Sequence, residues 1–433
     1  MVPDAGERKE TGGGVLESMR REIVWLLAAI LAGAAALYFN YVEDFGEELN
    51  RRAMAISVWI PAIAVGAGMI VISRLRDIFF PGTSGTGIPQ AMAALRMGEV
   101  PERGRVLSAR IAVGKTLLLT LGLLSGATIG REGPSVHVAA CCMYLTTRWA
   151  RFPRHLVERG LILAGGAAGI GAAFNAPLAA IVFAFEEIGR SFQKENVAMI
   201  VRTVIVACVL SWIPLSDYTF YGRVEVHFGG PFEWLVILVI GCAGGLLGGS
   251  FARGVLLTSA VVRRASDRRP YVVAALLGLA LAFLGIISDG ATYGGGYLQA
   301  RAILIEGRDL RTPYALLKAA ASFVSLVSGI PGGLFDPSLS VGAGLGQVAW
   351  PLFASMDRAS FILLVMGAYF AGVVQSPITA AVILVEMTAA PHLFLPLLAA
   401  TITAYAVSRL VCPTALYEGL AQAFLRREES ARG

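Results

Sequence analysis

The chain has 433 residues, 56% of them hydrophobic and 15% charged, with a formal net charge of +6. Soluble domains carry roughly 25% charged residues, so this composition excludes an ordinary soluble fold and points to an integral membrane protein. The first residues are polar and glycine-rich, and no small-residue cleavage site follows the first apolar run, so no cleaved signal peptide is expected. Apolar stretches then recur at Val24–Phe39, Met54–Ser73, Thr116–Thr147, Gly160–Phe185, Trp234–Ser250, Val272–Ile287, Pro337–Ser355 and Phe361–Val385. Several approach the roughly 20 residues of a bilayer-crossing helix, and others are shorter or interrupted by Gly and Pro. Transmembrane strands would instead show short alternating segments, so the pattern predicts many helices of unequal length.

The positive charge is almost all arginine, because lysine occurs only at Lys9, Lys115, Lys194 and Lys318. Arginines gather in the joints Arg74–Asp77, Arg103–Arg110 and Arg263–Arg269 and in both terminal segments. That distribution reads as topology-setting charge with cytoplasmic termini, not as a nucleic-acid surface. The five cysteines, Cys141, Cys142, Cys208, Cys242 and Cys412, lack metal-ligand spacing and read as small apolar residues. Neither a metal nor an organic cofactor is expected.

An internal repeat organises the chain. Sliding it so that Lys115 falls on Lys318 also lays Ser125–Gly126 on Ser328–Gly329, Gly130 on Gly333, and Pro134–Ser135 on Pro337–Ser338. At nearly the same offset "NAPLAAIVFAFEE" (175–187) falls on "QSPITAAVILVEM" (375–387), matching Pro177 with Pro377 and Glu186 with Glu386, and "GTGIPQA" (85–91) falls on "GGGYLQA" (294–300). Three blocks in one order imply two related halves, about 20–215 and 230–411, within a single membrane domain spanning 1–433. No soluble regulatory domain is expected beyond them. Duplicated halves with Gly/Pro-broken apolar segments in matching places are the pointer to a secondary transporter whose ligand sits between the repeats.

The broken segments carry the chemistry. From Thr116 to Thr147 the formal charges are Arg131 and Glu132, in "GREGP". Pro134 suits the first turn of a helix and the flanking glycines permit a sharp turn, which would leave Glu132 at a helix mouth. The free N–H groups and positive dipole end there attract anions, and a tethered carboxylate can occupy that place itself. The same grammar recurs in "GTGIP" (85–89) and "GLFDP" (333–337). Three such helix starts aimed at one point would hold a dehydrated anion without a buried full positive charge.

These motifs, in this order and spacing and with "AFNAPLAAIVFAFEE" (173–187) between them, resemble the CLC chloride channels and transporters. The resemblance covers nearly the whole chain. It implies an all-α polytopic fold of two inverted-topology repeats built from tilted and broken helices, assembled as a homodimer with a pore in each subunit. It implies that Glu132 is the gate and proton carrier, that Leu334 and Phe335 bind the anion through backbone N–H groups, and that Thr86, Gly87 and Ile88 line the same site. Tyr417 is matched to a tyrosine whose hydroxyl reaches the anion. Thr86 stands where many chloride-selective members have serine. Glu187 matches the inner proton glutamate of the exchangers, with Glu186 as its companion.

The expectation is therefore chloride/proton exchange across a bilayer, bromide and nitrate being further candidate anions, in a bacterial inner membrane. A passive CLC-type channel is the alternative within the family. An intramembrane enzyme using Glu132 and Glu187 as acid and base is a remote one, because no nucleophile–base constellation accompanies them. Lys115 is read as a structural counter-charge, and His137 as a packed histidine and not a relay.

Overall fold

The computed structural model describes residues 12–97, 100–153, 156–189, 194–215, 219–227, 229–311 and 313–430. The first half comprises α1 (Gly12–Ile56), α2 (Trp59–Phe79), α3 (Ile88–Arg96), α4 (Val100–Arg103), α5 (Ala109–Leu124), α6 (Glu132–Leu145), α7 (Leu161–Phe174), α8 (Pro177–Phe183) and α9 (Lys194–Leu215). The second comprises α10 (Pro231–Arg268), α11 (Pro270–Ile287), α12 (Tyr297–Leu304), α13 (Tyr314–Ser328), α14 (Phe335–Ala349), α15 (Arg358–Val374), α16 (Pro377–Thr388), α17 (Phe394–Val411) and α18 (Leu416–Ser430).

Apolar runs and helices do not coincide, and the mismatches mark the working parts. The run Thr116–Thr147 is α5 and α6 with an irregular turn between them, where Gly126 has φ +84°. Gly160–Phe185 breaks at Asn175 and Phe361–Val385 breaks at Gln375, both left-handed residues with φ of 51° and 60°. Val24–Phe39 is only the middle of α1, whose 45 residues run on past the apolar stretch through Glu43, Asp44, Glu47 and Glu48. At 1.5 Å per residue such a helix is about 68 Å long, twice the hydrocarbon thickness, so it must tilt or project from the bilayer. Among the described residues, five helical segments are long and apolar enough to cross: Val15–Ile56, Lys194–Ile213, Pro231–Arg268, Pro270–Ile287 and Pro391–Val411. Large apolar side chains such as Leu27, Leu276, Phe283 and Leu410 point outward on them, as lipid contact requires.

The shorter helices are packed inside this shell by close backbone approach. On α7, a methyl group at Gly165 would lie 2.6 Å from the Ala139 carbonyl oxygen and one at Gly169 2.5 Å from that of Ser135, so α6 and α7 touch along their backbones. Gly248 of α10 meets the Tyr369 carbonyl of α15 in the same way, at 2.6 Å. Small residues at such crossings are how helices associate where lipid offers no hydrophobic contrast.

Repeat-matched positions make matching contacts. Lys115 Nζ donates to the Gly85 carbonyl at 2.7 Å and Lys318 Nζ to the Gly294 carbonyl at 2.8 Å. Both lysines are fully buried. Each pins the loop that opens a short helix, α3 in one half and α12 in the other. Lys115 thus serves as a loop anchor on a carbonyl, where the sequence suggested a counter-charge to a carboxylate. Lys115→Met should leave that carbonyl without its donor and cost about 1–3 kcal/mol, read as a lower thermal unfolding midpoint in detergent. An unchanged midpoint would mean that the loop is held by something else.

Candidate functional site

The two halves meet where their broken helices begin. Gly130 and Gly333, matched across the repeat, form an isolated antiparallel bridge: Gly130 N–H donates to the Gly333 carbonyl at 3.0 Å and Gly333 N–H to the Gly130 carbonyl at 2.5 Å. From this bridge α6 and α14 start, carrying Glu132 and Phe335 as their first residues. Both helices leave initial N–H groups unpaired within the helix, so the bridge aligns two positive ends at one place.

Glu132 is fully buried. Its Oε1 accepts from the backbone N–H of Asp336 at 3.3 Å, so the carboxylate reaches across the bridge into the mouth of α14. The sequence placed it at the mouth of its own helix, near Pro134; its own N–H also faces the carboxylate, and both helix ends contribute. A methyl at Gly130 would come within 2.5 Å of both carboxylate oxygens, and one at Gly333 would overlap Glu132 Oε2. The glycines are therefore required by the side chain lying over them.

Arg131 points elsewhere, as adjacent helix positions must. Its Nη1 pairs with Glu43 of α1 at 2.7 Å, both side chains being 4% exposed or less, its Nη2 donates to the Ala173 carbonyl, and the guanidinium lies 5.3 Å from the Phe220 ring. Glu43 carries no local sequence signal: it lies past the apolar core of α1, and only the tertiary fold brings it here.

The other expected residues surround the start of α14. Phe335 stacks on Phe174 at 6.2 Å and meets Phe370, Phe183 and Tyr417 at 4.7, 5.7 and 6.4 Å between ring centroids. Leu334 precedes it and is buried. Thr86, Gly87 and Ile88 open α3, where Gly87 has φ +111° and packs on the Gly133 carbonyl and His137. Thr86 Oγ1 and the Tyr417 hydroxyl are both buried without a hydrogen-bond partner. A buried hydroxyl without a partner is rare in a folded protein and calls for an explanation. Arg96 and Glu418 hold the helices that carry them together, with Nη1 to Oε1 at 2.8 Å. His137 Nε2–H donates to the Val106 carbonyl at 2.8 Å, a packed position.

Glu187 and Glu186 separate in role. Both lie on a single π-helical turn, Ala184–Ile188, that follows α8, a distortion common at working sites. Glu187 is 1% exposed, not at a solvated helix end, and accepts from Ser376 Oγ at the start of α16. Glu186 accepts from the N–H groups of Ile378 and Thr379 at 3.0 and 2.6 Å, capping α16. Its repeat mate Glu386 caps α8 reciprocally through Leu178 and Ala179 at 3.0 and 2.7 Å. Tyr417 lies within electrostatic range of both Glu132 and Glu187.

Broken helices meeting around buried carboxylates and orphaned hydroxyls, inside a shell of spanning helices, define a polytopic membrane transport protein. The model of the voltage gated chloride channel family matches residues 67–409, and the chain belongs to that family. It is similar to the H(+)/Cl(-) exchange transporter ClcA of Vibrio campbellii, 28% identical over 94% of this chain and 90% of that one. The Klebsiella pneumoniae protein of the same name is 27% identical over 94% and 89%. Among solved structures, a slow cyanobacterial Cl-/H+ antiporter superposes with a TM-score of 0.81 at 22% identity, covering 95% of this chain and 99% of that one. A CLC-type fluoride/proton antiporter superposes at 0.78 with 22% identity and the same coverage. The fold is thus the CLC fold.

Gly333→Ala tests the placement of the carboxylate. The overlap with Glu132 should cost about 1–3 kcal/mol of stability, and most of that loss should vanish in a Glu132→Ala background. Equal losses in both backgrounds would place the carboxylate away from Gly333.

Proposed function

We propose that this protein is a secondary active transporter that exchanges chloride for protons across a bacterial plasma membrane, as a homodimer with both termini cytoplasmic. The whole of residues 1–433 forms one membrane domain in this reading, with the repeats at about 20–215 and 230–411. The observation that carries it is the Glu132 carboxylate lodged at the mouth of α14, accepting from the Asp336 N–H where a diffusible anion would accept. Two helix ends hold whichever anion is present, and only one fits at a time.

Protonation removes the charge that keeps the side chain there. Neutral Glu132 leaves the mouth, chloride occupies it, and the returning carboxylate displaces chloride as the proton departs. Anion movement and proton movement are thereby linked at one point. On the inner side the chloride is held by the Leu334 and Phe335 N–H groups and by the hydroxyls of Thr86 and Tyr417. Gly87 and Ile88 supply the backbone of the third helix start. The proton reaches the other side through Glu187, buried and bonded to Ser376. Glu186 keeps its cap on α16 and takes no part in transfer. The names of the relatives, exchange transporters at 27–28% identity over nearly full length, support exchange over the passive channel. Bromide and nitrate are carried in the same reading, and fluoride, which holds its water more tightly, is not.

Two substitutions separate the roles in liposomes that report chloride and proton flux together. Glu132→Gln mimics the protonated gate: chloride should run down its gradient independently of pH, and a chloride gradient should drive no uphill proton movement. Folded Glu132→Gln protein that still exchanged protons for chloride would sink the reading. Glu187→Gln should keep chloride flux and lose most proton coupling, because an amide hydrogen-bonds but does not titrate. Proton pumping at the parental level in that variant would move the inner proton step to another group.

A further inference from the structure

We propose that Asp336 is the proton partner of Glu132: the two carboxyl groups share one proton at the mouth of α14, and Glu43 and Glu47 connect that pair to the surface. The inference rests on the exchange reading above and adds a second acid to its gate.

Asp336 is fully buried as the second residue of α14, and neither of its carboxyl oxygens receives an N–H or O–H donor. Its side chain lies within hydrogen-bonding reach of the Glu132 carboxyl, while its backbone N–H already holds Glu132 Oε1 at 3.3 Å. Two carboxyl groups can bond to each other only when one of them carries a proton, and two bare carboxylates side by side repel. Under the repeat, Asp336 falls on Gly133, so this acid is an addition to the shared scaffold.

The surroundings leave the pair short of positive charge. Facing Asp336 are Glu132 and Arg131 at the start of α6, Glu43 and Glu47 from α1, Lys318 from α13, and Tyr221 from the segment before α10. Four carboxyl groups thus meet two cations. Arg131 binds Glu43 at 2.7 Å, and Lys318 donates to the carbonyls of Thr292 and Gly294 at 3.1 and 2.8 Å. An uncompensated buried carboxylate costs enough that binding a proton is the cheaper outcome.

The acids also form a connected series. The glycine loop Gly294–Gly296 lets them approach: a methyl at Gly294 would lie 3.0 Å from Glu47 Cγ, and one at Gly295 would strike Glu43 Oε1 and come 3.4 Å from Asp336 Cβ. Asp44, beside them on α1, is exposed and Glu47 half-buried. A proton taken up at this end passes inward to the Asp336 carboxylate. The O–H bond to Asp336 then breaks as an O–H bond to Glu132 forms. Asp336 is left as the anion, Glu132 is neutral and free to leave, and the net charge of the pair is unchanged. The buried Tyr221 hydroxyl, without a hydrogen-bond partner, lies within electrostatic range of both acids.

The test is the pH profile of chloride-coupled proton flux in liposomes. In Asp336→Asn the like charge is gone and the amide can donate to ionised Glu132, so the profile should move to lower pH by about one unit. Asp336→Glu, which keeps a carboxyl group, should restore most of the shift. In Glu132→Gln protein, where no coupled proton flux remains, chloride flux should stay independent of pH with or without Asp336→Asn, because no carboxylate remains to share the proton. An unmoved profile in Asp336→Asn, or an equal loss of flux at every pH, overturns the proposal. Should Glu132→Gln itself stay coupled, the exchange reading fails first, and the two failures are told apart by that control. If Asp336→Asn does not fold, native protein isotope-labelled at its aspartate carboxyl carbons decides: the protonated-carboxyl infrared band should respond to the label at neutral pH, and a band blind to it overturns the proposal.

Discussion

A helix that stops inside a membrane frees backbone groups that lipid cannot satisfy, and the whole structure is arranged around supplying their partners. Gly130 and Gly333 satisfy each other across the halves at 3.0 and 2.5 Å. Glu186 caps α16 and Glu386 caps α8, so the second pair of breaks is also closed by the opposite half. Lys115 and Lys318 close the loops before α3 and α12 from within each half. Because the partners at α6, α14, α8 and α16 are exchanged between the halves, neither half closes those four breaks alone. The proposed ion site lies where two of these helices start.

Much of this was legible as spacing. GTGIP, GREGP and GLFDP each mark a helix start, and the structure begins α3 at Ile88, α6 at Glu132 and α14 at Phe335. The repeat placed Lys115 opposite Lys318 and Gly130 opposite Gly333, and those pairs make equivalent or mutual bonds. Three things were out of reach, each for a physical reason. Where the helix before GREGP ends, at Leu124, depends on a turn that glycine permits but does not compel. The partner of Arg131, Glu43, lies 88 positions away on a helix whose charged part looks like an ordinary solvated end. Asp336 was visible within GLFDP, but only packing puts its carboxyl against that of Glu132, since nothing local joins two segments 204 positions apart.

The repeat also separates scaffold from chemistry. Positions that keep their residue across the two halves hold the fold: lysine with lysine at 115 and 318, glycine with glycine at 130 and 333, and glutamate with glutamate at 186 and 386. Positions that differ carry the proposed chemistry. Glu132 falls on Phe335, Gly133 on Asp336, and Glu187 on Met387.

The physical reason is that a symmetric pair of helix mouths would bind an anion equally from either side and give no order to events. A carboxylate on the first residue of α6 and a phenyl ring on the first residue of α14 make the two inequivalent. The ring also fills the interior: Phe335 packs among Phe174, Phe183, Phe370 and Tyr417. In a dry interior the partial charges of helix ends act at full strength. The same dryness makes a neutral and an ionised Glu132 two different shapes of the site, because an ionised carboxylate must stay with its N–H donors and a neutral one need not. In the proposed exchange the gate therefore needs no moving domain, only a side chain whose charge and position change together. That places the asymmetric residues, and not the repeated ones, where substitution should alter transport while leaving the fold intact.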